Sequence, residues 1–283
     1  YAVAELTPQG PRPIAGHNAD GRFAIGSTFK LYILAELTDQ VARGKRKWTD
    51  VAPLNYKSLP SGITQDWPTG APMTRHSLAS LMISISDNTA TDTLLFTLGR
   101  DKVGERVVKS GHNNPADMIP FLGTREAFSL KMPALAPLRV AFEDSDDREQ
   151  ARLLSNNRDA LYRTQVDPAL LLNQPVYITT IEWFASPADL VMLLSHMQAM
   201  KSDTMLGILS INKGVGAGDS GRWRYLGYKG GSETGVINMT FLAQRSDGRW
   251  FAITGSWNNA AAPVETERFA ALMSRLLNVT VEQ

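Results

Sequence analysis

The chain has 283 residues, 43% apolar and 20% charged, a balance that suits a globular fold built as one large domain or two interleaved lobes. Its 29 Lys and Arg against 28 Asp and Glu leave a net charge of +1, which argues against nucleic-acid or anionic-membrane partners, and no apolar run is long enough to span a bilayer. Cysteine is absent, which excludes disulfides and thiolate chemistry, and His17, His76, His112 and His196 show no metal-ligand spacing, so no metal and no other cofactor is expected.

The first segment, YAVAELTPQGPRPIAGHN, alternates and then turns at Pro8-Gln9-Gly10-Pro11, the pattern of a β-hairpin. Because it opens at Tyr1 without an initiator Met or a signal peptide, the chain reads as a mature or trimmed form. A helix is expected from about Ser27 to Ala42; it is apolar nearly all round, the mark of a buried helix. RHSLASLMISIS and NTATDTLLFTLG predict two more helices, with Ser86-Asp87-Asn88 in a short loop between them. From Pro115 to Pro187 seven prolines loosen the pattern, and one charged amphipathic helix is expected around Asp146 to Arg163. SPADLVMLLSHMQAM restores helical periodicity. LGYKGGSETG, VINMTFLAQR and WFAITGSWN then predict three strands, the last two joined by a Ser-Asp-Gly turn, and a closing helix from about Pro263 to Leu277. Strands at both ends with helices between them imply an α/β sandwich, one antiparallel sheet built from the two termini and carrying an inserted helical lobe.

Within ADGRFAIGSTFKLYILAEL, residues 19 to 37, Ser27 and Lys30 stand three apart in an otherwise apolar helix. A buried ammonium is disfavoured relative to the neutral amine, and a neutral amine one turn from a hydroxyl can act as its general base. SISDNTA adds Ser86, Asp87 and Asn88, and YKGGSETG adds Lys229, Gly230, Gly231 and Ser232 on a strand. Taken singly, the first reads better as a helix cap and the second as a glycine-rich strand end. In this order they supply the parts of an acyl-transfer site.

With these segments the chain resembles the class A β-lactamase family of penicillin-recognising serine hydrolases, most closely in ADGRFAIGSTFK and in the order of elements throughout. The resemblance implies a single domain over 1–283, with an α/β lobe of about 1–42 and 205–283 around a helical lobe of about 43–204. It implies Ser27 as nucleophile, Lys30 as its base, and Ser86 as the proton relay to the leaving group. Lys229 would hold that relay and attract a substrate carboxylate. Asn88, Gly231 and Ser232 would bind substrate, Asp87 would brace the loop, and the N–H groups of Ser27 and Ser232 would form the oxyanion hole. A periplasmic or secreted location follows by the same resemblance, as does a small β-lactam or ester substrate.

Three departures stand out. The strand triad is Lys-Gly-Gly, so Gly230 lacks the hydroxyl that in the family bonds a substrate carboxylate. The next strand, VINMTFLAQ, has no arginine; Arg222 and Arg224 lie nearby in sequence. The stretch from Ser86 to Lys229 is longer than the family needs and lacks its Glu-x-x-Leu-Asn deacylation motif, leaving Glu126 in GTREAF or Glu182 in TIEWFASP as possible deacylating bases. The expected activity is β-lactam hydrolysis through an acyl-enzyme, weak turnover included. The alternatives are an esterase or D,D-peptidase using the same chemistry, and a non-catalytic module that binds lactams or cell-wall peptides.

Overall fold

A computed structural model describes residues 1–282. Strands β1 (Ala2–Thr7) and β2 (Gly10–Gly16) form the expected hairpin, and a short β3 (Phe23–Ala24) leads into a 3₁₀ turn, Gly26–Phe29, and helix α1 (Lys30–Ala42). β4 (Val51–Pro53) pairs with β5 (Pro72–Thr74), which feeds α2 (Arg75–Ser84). Helices α3 (Asn88–Leu98), α4 (Arg100–Lys109) and α5 (Thr124–Leu130) follow. The proline-rich stretch carries α6 (Ala136–Glu143), α7 (Asp147–Asn156), α8 (Arg158–Arg163) and α9 (Pro168–Asn173), and ends at β6 (Phe184–Ala185), which pairs with β3. Then come α10 (Pro187–Ala199), α11 (Asp203–Leu209), α12 (Ala217–Ser220), the strands β7 (Tyr225–Glu233), β8 (Val236–Gln244) and β9 (Trp250–Asn258), and α13 (Thr266–Glu282).

The main sheet is antiparallel with strand order β2-β1-β9-β8-β7, so the two ends of the chain meet at β1 and β9. Period-2 alternation gives each face its own core. On one face, Val3, Ile253, Phe241 and Tyr228 lie in register across four strands, and Phe269, Met273 and Leu277 of α13 cover them. On the other, Ala4, Ala252 and Leu242 present short side chains beneath the apolar residues of α10. α1 is buried from Lys30 to Thr38, packed among α2, α3, α4 and α10. No helix among the described residues is long and apolar enough to cross a membrane.

Local chemistry sets most of the helix starts. Asp87, Thr74, Asp146 and Ser186 each cap a helix by accepting a backbone N–H, and Ser186 with Asp189 completes a reciprocal capping box ahead of Pro187. The structure differs from the sequence-based expectation at three points. Ser27 lies in the 3₁₀ turn, and α1 begins only at Lys30. The helix expected over 146–163 is two helices, broken at Asn157, whose side-chain amide bonds back to the Leu153 carbonyl at 2.9 Å. The closing helix starts after Pro263 and runs on to Glu282.

Candidate active site

A cleft of about 680 Å³ opens where the 3₁₀ turn, the α2–α3 junction and the end of β7 converge. Ser27, Ser86, Asn88, Lys229, Gly231 and Ser232 all line it, although up to 205 residues separate them in the chain. Lys30 lies beneath, fully buried. Two glycines bring the turn and the strand together. A side chain at Gly231 would strike the Ile25 carbonyl at 2.0 Å and the Ser27 nitrogen at 2.6 Å, and Gly26 (φ +47°) stands against the Ser232 nitrogen. The backbones of Gly26-Ser27 and Gly231-Ser232 therefore touch directly. Thr28 Oγ1, donating to Asn238 Oδ1 at 2.8 Å, ties the turn to β8 as well.

Ser86 is the hub. Its backbone is left-handed (φ +60°), an uncommon conformation for serine and one that clusters at functional sites. Asp87 holds the junction in place: it accepts from the N–H groups of Ile63 (2.8 Å), Thr64 (2.9 Å) and Ala90 (2.8 Å) and from Thr64 Oγ1 (2.6 Å). Lys30 Nζ donates to Ser86 O (2.6 Å), Ser86 Oγ (3.1 Å) and Asn88 Oδ1 (2.7 Å), and Lys229 Nζ donates to the same Ser86 Oγ at 3.1 Å. A hydroxyl has two lone pairs and one proton. With both lone pairs taken by lysines, the Ser86 proton is free to be donated into the cleft.

The electrostatics favour proton movement among these groups. Burial holds the Lys30 ammonium well below its ordinary pKa, and the Lys229 charge adds to that, against the opposing pull of Asp92 and Asp87. Burial also pushes Lys229 down to about 7. Two cations on one oxygen in a dry site are mutually unfavourable, which favours the neutral amine on one of them.

Sequence reasoning did not single out Tyr228. It shares a strand face with Gly230, and a Cβ at Gly230 would lie 2.0 Å from the Tyr228 hydroxyl. The phenol thus occupies the space that a side chain at 230 would need. Burial pushes its pKa up to about 12, so it stays protonated and able to donate. The only signal in the sequence is the i, i+2 spacing on a strand. Across from Gly230, in register on β8, is Met239, where no arginine is available. Arg222 bonds Asn278 and Glu282 on α13, and Arg224 is exposed.

Glu126 and Glu182 do not line the cleft. Glu126 is buried against Arg100 and accepts from the Gly123 N–H at 2.7 Å at the start of α5. Glu182 is buried on Lys131 Nζ at 2.8 Å, and that ammonium also bonds both carboxylate oxygens of Glu233 at 2.7 Å. The carboxyl of Asp92 accepts from Thr124 N (2.7 Å), Thr124 Oγ1 (2.9 Å) and Arg125 N (3.0 Å). Among the described lining residues the one carboxylate is Glu267, exposed in the first turn of α13.

A family model described as "Beta-lactamase enzyme family" matches residues 6–212, taking in Ser27, Lys30, Ser86 and Asn88 and ending before Lys229. Among solved structures, a beta-lactamase from Sphaerobacter thermophilus DSM 20745 is 20% identical with a TM-score of 0.60, over 98% of this chain and 89% of that one. An ancestral (GNCA) class A beta-lactamase is 19% identical with a TM-score of 0.64, over 99% and 93%. PBP-A is 16% identical with a TM-score of 0.63, over 99% and 87%, and a mutant of it is known as an acyl-enzyme with penicillin G. At these identities the likeness establishes the fold. No curated protein matches the sequence.

Proposed function

From the premise that this chain belongs to the beta-lactamase enzyme family, we propose that it is a serine hydrolase acylated at Ser27. The observation that carries this reading is the meeting of a serine, a relay hydroxyl and two pKa-lowered lysines in one cleft, with the Gly26-Ser27 and Gly231-Ser232 backbones in contact. In the neutral form that burial favours, Lys30 gives up one of its three donations and gains a lone pair; Ser27 Oγ attacks the substrate carbonyl and its proton passes to that amine. The N–H groups of Ser27 and Ser232 hold the oxyanion. As the tetrahedral species collapses, the carbonyl–heteroatom bond breaks and the leaving nitrogen or oxygen takes the Ser86 proton. The Lys30 ammonium then restores the Ser86 proton. Asn88 orients the acyl amide, and the Lys229 ammonium, with the Tyr228 hydroxyl, receives a substrate carboxylate.

We assign neither Glu126 nor Glu182 as the deacylating base, because each is held in a buried ion pair away from the cleft. This favours a second reading beside β-lactam hydrolysis, an esterase or D,D-peptidase using the same acyl-enzyme chemistry; small esters, whose acyl groups leave room for water, would then turn over without a dedicated carboxylate. Turnover of a chromogenic cephalosporin and of a p-nitrophenyl ester by the same preparation separates the two. We expect both to react and the ester to turn over faster; if neither reacts, the chain is a binding module. The family relation further supports a single two-lobed domain acting in the periplasm or outside the cell.

The Lys229 assignment has its own pH signature. Below pH about 7 the group is an ammonium and attracts a carboxylate; above it the attraction is lost. The ratio of acylation rates for a penicillin over a neutral ester is therefore expected to fall between pH 6 and 8, a comparison that cancels the Lys30 titration common to both. A flat ratio would show that Lys229 does not read the carboxylate.

A further inference from the structure

A cavity of about 250 Å³ lies in the helical lobe and shares no lining residue with the cleft. Tyr56, from the stretch between β4 and β5, and Phe96 of α3 form one wall, their ring centroids 4.8 Å apart. Arg100, the first residue of α4, places its guanidinium 5.2 Å from the Phe96 ring. α8 supplies Arg158 and Tyr162, and the Arg158 guanidinium lies 5.7 Å from the Tyr56 ring and 5.8 Å from that of Tyr162. The walls are thus aromatic rings with cations at interaction distance.

Two groups in these walls lack partners. Arg100 is engaged by Glu126 and by the Phe121 carbonyl at 2.8 Å, and the second oxygen of Glu126 takes the Gly123 N–H, so that pair is closed. Among the described residues Arg158 has no hydrogen bond or ion pair, and the adjacent Asp159 is on Arg163 instead. The Tyr162 hydroxyl is buried and likewise has no partner. Burial pushes its pKa up, and the charges of Asp92 and Glu126 add to that, so at neutral pH the phenol is a donor without an acceptor. A ligand atom that accepts from it relieves the cost of burying it unpaired. A cationic ligand is disfavoured, because Arg158 already stands near both tyrosine rings. A bare hydrocarbon would leave the phenol unpaired. An anionic oxygen satisfies the phenol and the guanidinium together, and the surrounding rings suit a flat apolar body. A cavity of about 150 Å³ can hold benzene, so this one has room for an aromatic ring carrying a carboxylate. We propose that this cavity is a binding site for a small aryl carboxylate, with the ring against Tyr56 and Phe96 and the carboxylate on the Tyr162 hydroxyl and Arg158. The site is independent of acyl transfer at Ser27.

Calorimetry on the full chain with benzoate and 2-naphthoate tests the site, with the alcohol and the methylammonium of each ring as controls. At least one acid is expected to bind about tenfold or more tightly than its two controls. Tyr162→Phe removes an oxygen that bonds nothing, so thermal unfolding should not fall while affinity for the acid drops about tenfold. Arg158→Gln, at an exposed position, should weaken the acid by a similar factor. Neither residue lines the cleft, so loss in both variants places the acid in this cavity and not at Lys229. The proposal is overturned if neither acid binds at millimolar concentration, if an alcohol or ammonium control matches its acid, or if either variant keeps wild-type affinity. A lower melting temperature for Tyr162→Phe would also contradict it, since the hydroxyl would then have a partner within the folded chain.

Discussion

Ser27→Ala is expected to lose about 10³-fold or more in the hydrolysis of every ester or lactam that the wild-type chain turns over, with its thermal unfolding unchanged. The loss is large because the proposed acyl transfer runs through this one hydroxyl. The fold should survive because the change orphans no buried partner. Lys30 Nζ is already spent on Ser86 and Asn88, and Ser27 itself is only half-buried at the cleft wall. A residual rate above water is expected from the backbone donors of Ser27 and Ser232, which an alanine keeps. If the variant keeps a rate within tenfold of the parent, another residue is the nucleophile.

Penicillins and cephalosporins should react with the wild-type chain in a burst of about one equivalent and then turn over slowly. Acylation has its parts in the cleft, but deacylation needs a water held and deprotonated beside the ester, and the buried carboxylates are all engaged elsewhere. Glu126 is on Arg100, Glu182 on Lys131, and Asp92 on the first N–H groups of α5. Absence of a general base typically slows such a step by roughly 10²–10⁴-fold. Small esters leave more room for solvent and should stall less. A linear progress curve without a burst, at a rate on the order of hundreds per second, would mean that a group outside this account activates the water.

How far the site was legible depends on the range over which each feature acts. Ser27 and Lys30 could be read because an apolar helix makes a lysine conspicuous, and Ser86, Asn88 and Lys229 because their order along the chain matched a known arrangement. The role of Gly230 was half-legible. Its missing hydroxyl was plain, but that the Tyr228 ring lies over it depends on a side-chain orientation that strand alternation alone does not set. Glu126 and Glu182 looked available because their partners, Arg100 and Lys131, are 26 and 51 residues away in the chain. Only folding reveals that both are ion-paired.

The fold shows the same division. The terminal hairpin, the three-strand run and α10 carry strong periodicity or capping signals, and all three are present. The break at Asn157 is a departure of one residue's backbone from helical dihedrals, φ −108° and ψ 18°, too local to show against a charged amphipathic pattern. The α9 strap is tied to Thr234, more than 60 residues on, and no local pattern announces such a contact.

The central claim, acyl transfer onto Ser27, is tested most directly by intact-mass spectrometry of the wild-type chain seconds and minutes after mixing with penicillin G, followed by peptide mapping. One added penicilloyl mass is expected, persisting over minutes, located on the peptide that carries Ser27 and absent from Ser27→Ala. An unmodified wild-type mass under these conditions, or an adduct that maps to any other residue, would contradict it.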